Sequence, residues 1–409
     1  MNIFVINAGS SSLKYQLFDM DTGTVKAKGL CERIGENNGK DGVIKHKKLT
    51  DPPMEYEQNL TMPNHSEALS AVLFTLMNRA HGVIRDVGEI HAVGHRVVHG
   101  GEWFASSVLI DDAVMDAIEE CAFIAPLHNP ANISGIEACR RMMGNIPQVA
   151  VFDTAFHQSM PKKAYTYALP YEYYDKYKVR RYGFHGTSHR YVSAKAAEVL
   201  GRPIEDMKII SCHLGSGSSV CAISRGQSID TSMGFTPVAG VPMSTRSGDI
   251  DAGVIEFLMK KEDYSLAEMM NIINSESGVL GISGVSKDFR DIEKAALNNG
   301  RARLALEVFD YNVTKAIGAY AAAMNGVDTI IFTAGLGENS PETRESICRN
   351  LEYLGLVIDH KANEMRGTTI ISKPESKVSV VVIPTDEELV IAMDTMSIIE
   401  AGNSVALEL

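Results

Sequence analysis

The chain has little that would commit it to a membrane, a secretory route, a metal cluster or a nucleic acid. Its 409 residues contain no apolar run near the roughly 18 residues of a membrane span. The start, Met1-Asn2-Ile3, lacks the basic segment and long apolar core of a secretory leader. Six scattered cysteines form no C-x-x-C pair and no metal-like cluster, and in such a chain they read as reduced, buried thiols. Positive charge is short: 39 Lys and Arg stand against 51 Asp and Glu, a net charge of −12, which argues against general nucleic-acid binding. The one basic run, Lys45-His46-Lys47-Lys48, reads as a solvated strand or turn. What remains, 45% hydrophobic and 22% charged, is an ordinary globular composition. At about 150 residues per domain, two or three domains are expected, in a cytoplasmic protein.

Two stretches stand out from this background. In Val5-Ile6-Asn7-Ala8-Gly9-Ser10-Ser11-Ser12-Leu13-Lys14 an apolar run enters a Gly/Ser turn and a second strand-like run leaves it. Gly9 lets the backbone approach a ligand that a Cβ would hold off. The serine hydroxyls and successive N–H groups can converge on one anion, and Lys14 adds a compact positive charge. A solvent-exposed hairpin turn uses the same residue types, and the stretch is not a Walker loop. Ile209-Ile210-Ser211-Cys212-His213-Leu214-Gly215-Ser216-Gly217-Ser218-Ser219-Val220 repeats the grammar about half a chain length later. A duplicated half, with one phosphate-facing hairpin per copy, would bracket a nucleotide's phosphates from two sides.

Strand signals fill roughly the first sixty residues. A helix is expected over 65–81, with Leu69, Val72, Leu73 and Leu76 at helical spacing and Asn64 as cap. A strand over 90–98 ends in Gly94-His95-Arg96-Val97-Val98-His99-Gly100-Gly101. Helices over 111–123 and 130–143 are separated by Ala125-Pro126-Leu127-His128-Asn129-Pro130, whose prolines make a rigid link that aims His128 in one direction. The strand 148–152 delivers Asp153 at its carboxyl end, where α/β folds place ligands; capping the next segment is the alternative. Gly183 and Gly186 flank His185, and Thr187 or Ser188 can cap a helix running to Leu200, whose N-terminus favours anions.

In the polar loop 244–251, Arg246 suits phosphate by its planar fork, unless it clasps Asp249 or Asp251. Helices are expected over 252–260, 288–298 and 301–324, and strands over 329–333 and 378–383. A strand, a Gly-x-Gly turn and a helix at Ala334-Gly335-Leu336-Gly337-Glu338-Asn339-Ser340-Pro341 make a backbone-lined shelf suited to a nucleotide. Asp386-Glu387-Glu388 opens the last helix, as its dipole favours, and one of these acids can also hold a metal.

Taken in this order, the strings resemble the acetate/propionate kinase family of the actin-like, sugar-kinase and Hsp70 superfamily, from Asn7 to Leu389. The resemblance implies an α/β fold of duplicated ribonuclease H-like domains with a nucleotide cleft between them, and a homodimer. The first domain is expected over 1–150 plus 385–409, the second over 151–384. The implied reaction is magnesium-dependent, reversible transfer of the ATP γ-phosphoryl group to acetate, giving acetyl phosphate and ADP by in-line displacement, with Mn²⁺ able to substitute.

By that resemblance Asn7 and Glu387 are the magnesium-site residues, Lys14 an ATP-phosphate contact and Arg96 the carboxylate-binding arginine. Asp153 matches the catalytic acid, His185 and Arg246 match the transition-state stabilisers, and His128 is kept with the catalytic candidates. His213, Leu214, Gly215, Ser216 and Gly217, then Asp288, Phe289 and Arg290, then Gly335, Leu336, Gly337, Glu338 and Asn339 resemble three nucleotide-binding segments. The small acyl pocket falls on Val98, Leu127, Phe184 and Pro237. Ser216 stands where the family usually has Asn, Phe289 where Met is common, and the run 238–244 departs from the usual Leu-Glu-Gly-Leu.

The chemistry is consistent with these residues. A carboxylate is ionised at neutral pH and needs no general base to attack. The obstacle is bringing one anion to another, so cations and donors must gather: Arg96 on the acid, Arg246 and His185 on the transferring oxygens, Mg²⁺ on the β/γ-phosphates. Asp153 is expected to work chiefly by positioning magnesium and its waters. One rival is a propionate- or butyrate-preferring kinase, since an extra methylene is worth only about 1–3 kcal/mol. The other is a non-enzymatic nucleotide switch on the same fold; a switch has no need of Arg96, His185 and Arg246.

Overall fold

In the computed structural model, which describes residues 1–126 and 128–406, the hairpin around Gly9 seeds the first of two sheets. β1 (Asn2–Ala8) and β2 (Ser12–Asp19) pair antiparallel with Asn7 opposite Lys14, and the Gly9 N–H closes the turn on the Ser12 carbonyl at 2.8 Å. β3 (Thr24–Glu32), β4 (Val43–Lys48) and β5 (Met54–Asn59) extend the meander to one side. β6 (Ala92–Val97) and β8 (Gln148–Phe152) add in parallel on the other side of β1, and β7 (Val108–Leu109) ends that edge.

The second sheet repeats the plan. β9 (Lys208–Leu214), β10 (Ser218–Ser224) and β11 (Gln227–Thr231) form an antiparallel meander. β12 (Thr329–Thr333) and β14 (Ser379–Val382) run parallel on the far side of β9, with β13 (Thr369–Ile370) at the edge. Each sheet therefore has the same kernel, three antiparallel strands and then two parallel ones beyond the first. The Gly/Ser hairpins occupy equivalent places in the two copies. The mixed α/β, duplicated architecture expected from the sequence is the one observed.

The chain divides into two units, Met1–Ala155 with Asp386–Leu409, and Phe156–Thr385. In the first, β2 alternates: Leu13, Tyr15 and Leu17 are buried with Leu69, Val72 and Leu76 of the helix His65–Leu76, while Lys14 faces solvent. β8 and β12 are buried at all five positions, because helices cover both faces of parallel strands. The core of the second unit gathers Phe309 and Val313 of the helix Gly300–Ala323 against Ile210, Ile330 and Val380. All six cysteines are free and buried, and burial pushes the thiols of Cys31, Cys121, Cys221 and Cys348 up to about 12. No helix of the described residues is long and apolar enough to cross a membrane.

Three local expectations need correction. The first helix stops at Leu76 and not at 81, because the chain folds back and the Leu76 carbonyl accepts the Val83 and Ile84 N–H groups. The helix expected to be capped by Thr187 or Ser188 begins at Gly186, with His185 itself at the cap in a left-handed conformation (φ 57°) and no side-chain cap. The Gly-x-Gly shelf is no open turn but a short helix, Ala334–Asn339, entered through a left-handed Ala334 (φ 64°). Left-handed non-glycine residues cost of order 1 kcal/mol or more and concentrate at functional sites.

Candidate active site

In the first unit β6 and β8 lie side by side with Arg96 opposite Val151, so the arginine reaches the acid just past the end of β8. Arg96 grips Asp153 in a two-point pair, Nε to Oδ1 at 3.0 Å and Nη2 to Oδ2 at 2.6 Å, and its Nη1 lies 3.4 Å from Asn7 Oδ1 at the end of β1. Burial works to lower the Arg96 pKa, but the Asp153 charge and hydrogen bonds, with Glu387 and Glu388, raise it on balance. Glu387 begins the helix Glu387–Ala406. Loss of hydration pushes its carboxyl up to about 7; the Arg96 and Lys14 charges oppose the rise while Asp153 and Glu388 add to it.

At this carboxyl the Arg96 and Lys14 charges do not outweigh burial and the neighbouring carboxylates. An amide oxygen from Asn7 and carboxylate oxygens from Asp153 and Glu387 are the hard donor set that Mg²⁺ takes. Among the described residues no three His, Cys, Asp or Glu side chains form a cage by themselves.

The loop beyond β6 is pinned by two asparagines. Asn129 Oδ1 accepts the His99 N–H at 3.2 Å and its Nδ2 donates to the His99 carbonyl at 3.0 Å; Asn132 Oδ1 accepts the Val98 N–H at 3.0 Å and its Nδ2 donates to the Ala8 carbonyl at 2.8 Å. His128, half-buried, sits at the cap of this helix, Asn129–Met143, with no side-chain cap bond. His95 pairs with Gln148 at 2.7 Å and burial pushes it down to about 4, so it is a neutral structural residue. Val98 is buried, and Leu127 lies outside the described residues.

In the second unit the turn between β9 and β10 carries a slot. A Cβ on Gly217 would sit 3.4 Å from both Arg246 Nη1 and His185 Nε2, so its absence leaves room for an oxyanion between a guanidinium and an imidazole. Asp249 and Asp251 do not need the arginine: they accept the Gly240 and Gly253 N–H groups, each at 2.8 Å. Arg246 Nη1 instead leans on the Pro237 carbonyl at 3.5 Å. The His185 and His213 rings stack with centroids 4.1 Å apart, and His213 Nδ1 lies 2.8 Å from Ser188 Oγ.

Next to the slot opens a cavity of about 920 Å³ lined by Gly215, Ser216, Gly217 and Arg246, by Asp288, Phe289 and Arg290, and by Gly335, Leu336 and Asn339. All three expected nucleotide segments thus contribute to one cavity. Four of their residues do not line it. His213 is engaged as above, Leu214 is wholly buried in the core, the Gly337 carbonyl accepts Arg344 Nη1 at 2.9 Å, and Glu338 accepts the Thr385 N–H at 3.2 Å. Phe184 is buried, and the Phe184 carbonyl lies 3.0 Å from His157 Nε2. Ser244 Oγ, also on the cavity wall, is buried with no hydrogen-bond partner among the described residues, as a donor meant for a ligand would be.

Comparison with known proteins bears directly on this geometry. The profile of the Acetokinase family matches residues 2–393. The chain belongs to the acetokinase family. It is 58% identical over 404 residues to an acetate kinase of Thermoanaerobacterium thermosaccharolyticum, covering 98% of this chain and 100% of that one. The crystal structure of Porphyromonas gingivalis acetate kinase matches with a TM-score of 0.92 at 50% identity, over 97% of this chain and 99% of that one. A propionate kinase from Francisella tularensis matches at 0.90 and 40%, with the same coverage.

This acetokinase-family chain also places residues in the cavity that sequence reasoning passed over: Ser244, Thr245, Lys287, Glu293, Ser340 and Arg366. Lys287 adjoins Asp288 in the chain, and Glu293 follows Phe289 by one helical turn, so nearness to that segment marks the first and helical spacing the second. Arg366 carried no such signal. It arrives from a distant loop and donates to Asn339 Oδ1 at 2.6 Å, which turns the Asn339 Nδ2 toward the Gly335 carbonyl at 2.8 Å. The departures from the family pattern fit locally. Phe289 is a core residue, edge-on to Phe309 at 4.9 Å, and the Ser216 carbonyl accepts the Ser244 N–H at 3.1 Å.

Proposed function

We propose that this chain is an acetate kinase that transfers the γ-phosphoryl group of ATP reversibly to acetate, giving acetyl phosphate and ADP. The observation that carries the reading is the Gly217 slot, where a guanidinium and an imidazole face one phosphate-sized space beside a nucleotide-sized cavity. Arg246 and His185 Nε2 stabilise the oxygens of the transferring group, whose negative charge spreads in a loose transition state. The cavity takes the nucleoside; its Ser244 hydroxyl and Gly215–Gly217 backbone take phosphate oxygens, and Lys14 adds a phosphate contact from β2. Arg96 orients the acetate carboxylate, which attacks without a base, and Asp153 orients Arg96 in turn. His128 belongs to the acceptor side. By the family resemblance, Val98, Leu127, Phe184 and Pro237 are the residues we assign to the acyl chain.

Asn7, Asp153 and Glu387 would hold Mg²⁺, or Mn²⁺ in its place. When bound, the ion supplies charge neutralisation to the β- and γ-phosphates. We assign the first unit to the acyl acceptor and the second to the nucleotide. A cytoplasmic homodimer is part of the same reading: the helix Ala252–Glu262 buries none of its side chains although it bears Val254, Ile255, Phe257 and Leu258.

The test is acyl-phosphate formation trapped as hydroxamate, with acetate, propionate and butyrate at equal concentration and a magnesium-free control. Magnesium-dependent product, strongest with acetate, is expected. A longer acid in first place would rename the enzyme, and no product from any acid while ATP still binds would leave a nucleotide switch.

A further inference from the structure

We propose that Ser219 and His189 are positioning residues for His185: they decide which ring nitrogen of His185 carries the proton that meets the transferring phosphoryl oxygen. The inference rests on the role of His185 given above. His185 Nδ1 lies 2.9 Å from Ser219 Oγ; the same oxygen lies 2.8 Å from His189 Nε2; and His189 Nδ1 lies 2.9 Å from Ser211 Oγ. Ser211, Ser219 and His189 are wholly buried, so bulk water does not compete for these bonds.

The local structure assembles the chain of bonds. Ser219 stands opposite His213 in the β9–β10 register, and Ser211 precedes His213 by two positions on the same face. His189 lies one helical turn beyond His185 in the helix Gly186–Leu200. Burial, aided by the neighbouring His157 and His213 rings, holds His189 well below the usual histidine range, so it is neutral and carries a single N–H.

A hydroxyl between two ring nitrogens has one proton to give. In one order, Ser211 donates to His189 Nδ1, His189 Nε2 donates to Ser219, and Ser219 donates to His185 Nδ1. A neutral His185 then has its proton on Nε2, the nitrogen at the edge of the Gly217 slot. In the opposite order, His185 Nδ1 donates to Ser219, and a neutral His185 turns a lone pair toward the phosphoryl oxygens. That repels where attraction is needed; only an imidazolium donates from both nitrogens. The first order uses every buried donor of the chain, whereas the second leaves the buried Ser211 hydroxyl proton with no acceptor among the described residues. The chain of bonds therefore favours a neutral His185 with its proton on Nε2, facing the slot. Without Ser219 nothing in this chain of bonds selects the Nε2–H form.

A double-mutant cycle on the full chain tests this, read as kcat and both KM values in the acyl-phosphate assay. His185→Ala is expected to lower kcat by about 10²–10³. Ser219→Ala is expected to lower kcat roughly 10–100-fold with both KM values near wild type. The same change in the His185→Ala background should alter kcat less than about twofold, because Ser219 acts only through the ring it holds. Equal losses in the two backgrounds, or a loss confined to KM, overturn the proposal. Should Ser219→Ala fold poorly by circular dichroism, Ser211→Ala, one bond further out, is put through the same cycle with the same criterion. A His185→Ala enzyme with wild-type kcat would instead sink the functional reading of His185.

Discussion

Charged side chains that folding removes from water need partners, and one carboxylate oxygen of Asp310 has none among the described residues. The residue sits buried within the long helix Gly300–Ala323, and that oxygen is Oδ1. Burial pushes its carboxyl up to about 7; a Ser346 hydrogen bond opposes the rise and the Glu293 and Glu307 charges add to it. An unfolded aspartate titrates near 4, so between about pH 4 and 7 the folded state binds more protons than the unfolded one. Stability therefore falls as pH rises through that window, by up to about 1.4 kcal/mol per unit. Asp310→Asn should thus raise Tm at pH 8 and leave it nearly unchanged at pH 4.5. Equal shifts at both pH values would mean that the carboxyl does not titrate in this range. Arg344 shows the opposite case, buried but met by Asn363 Oδ1 at 2.8 Å and by the Gly337 and Asn363 carbonyls.

At the scale of elements, the turns and helix starts place the chemistry. The β9–β10 turn needs glycine at 217 because a methyl there would stand in the space between Arg246 and His185. Gly217→Ala is expected to cut kcat by at least about 10² while Tm stays within a degree or two, since misplacement of about 1 Å at a reacting centre suffices for that loss. A wild-type rate would show that no group passes through the slot. Most elements were legible because their signals are local: Asn64, Asp111, Asp251, Asp288 and Asn299 all cap helices through side-chain bonds. The starts at Gly186 and Ala334 were not. Both are entered through left-handed residues, which no side-chain pattern marks.

For the whole molecule, the echo between the two Gly/Ser hairpins proved to be a repeated sheet kernel, one per unit. The proposed homodimer is argued at this scale. Phe257 is 62% exposed on a helix with no buried residue, and a charge there would abolish an apolar contact between copies. Phe257→Asp is expected to convert a dimer to a monomer in sedimentation at micromolar concentration. A sedimentation coefficient equal to the wild-type value would place any interface elsewhere.

By itself the sequence determined the duplicated α/β plan, the buried thiols, the strand end that presents Asp153 and the glycine turns suited to phosphate. Periodicity, capping and turn chemistry act over a few residues and leave their marks in order along the chain. The tertiary structure alone decided that Arg96 grips Asp153 from 57 residues away. It also decided that Asn129 and Asn132 pin the β6 loop, that Arg366 reaches Asn339, and that His185 leans on His189 through a single hydroxyl. Those pairings depend on strand register and on which helix covers which face, and a one-residue slip of either would have undone them.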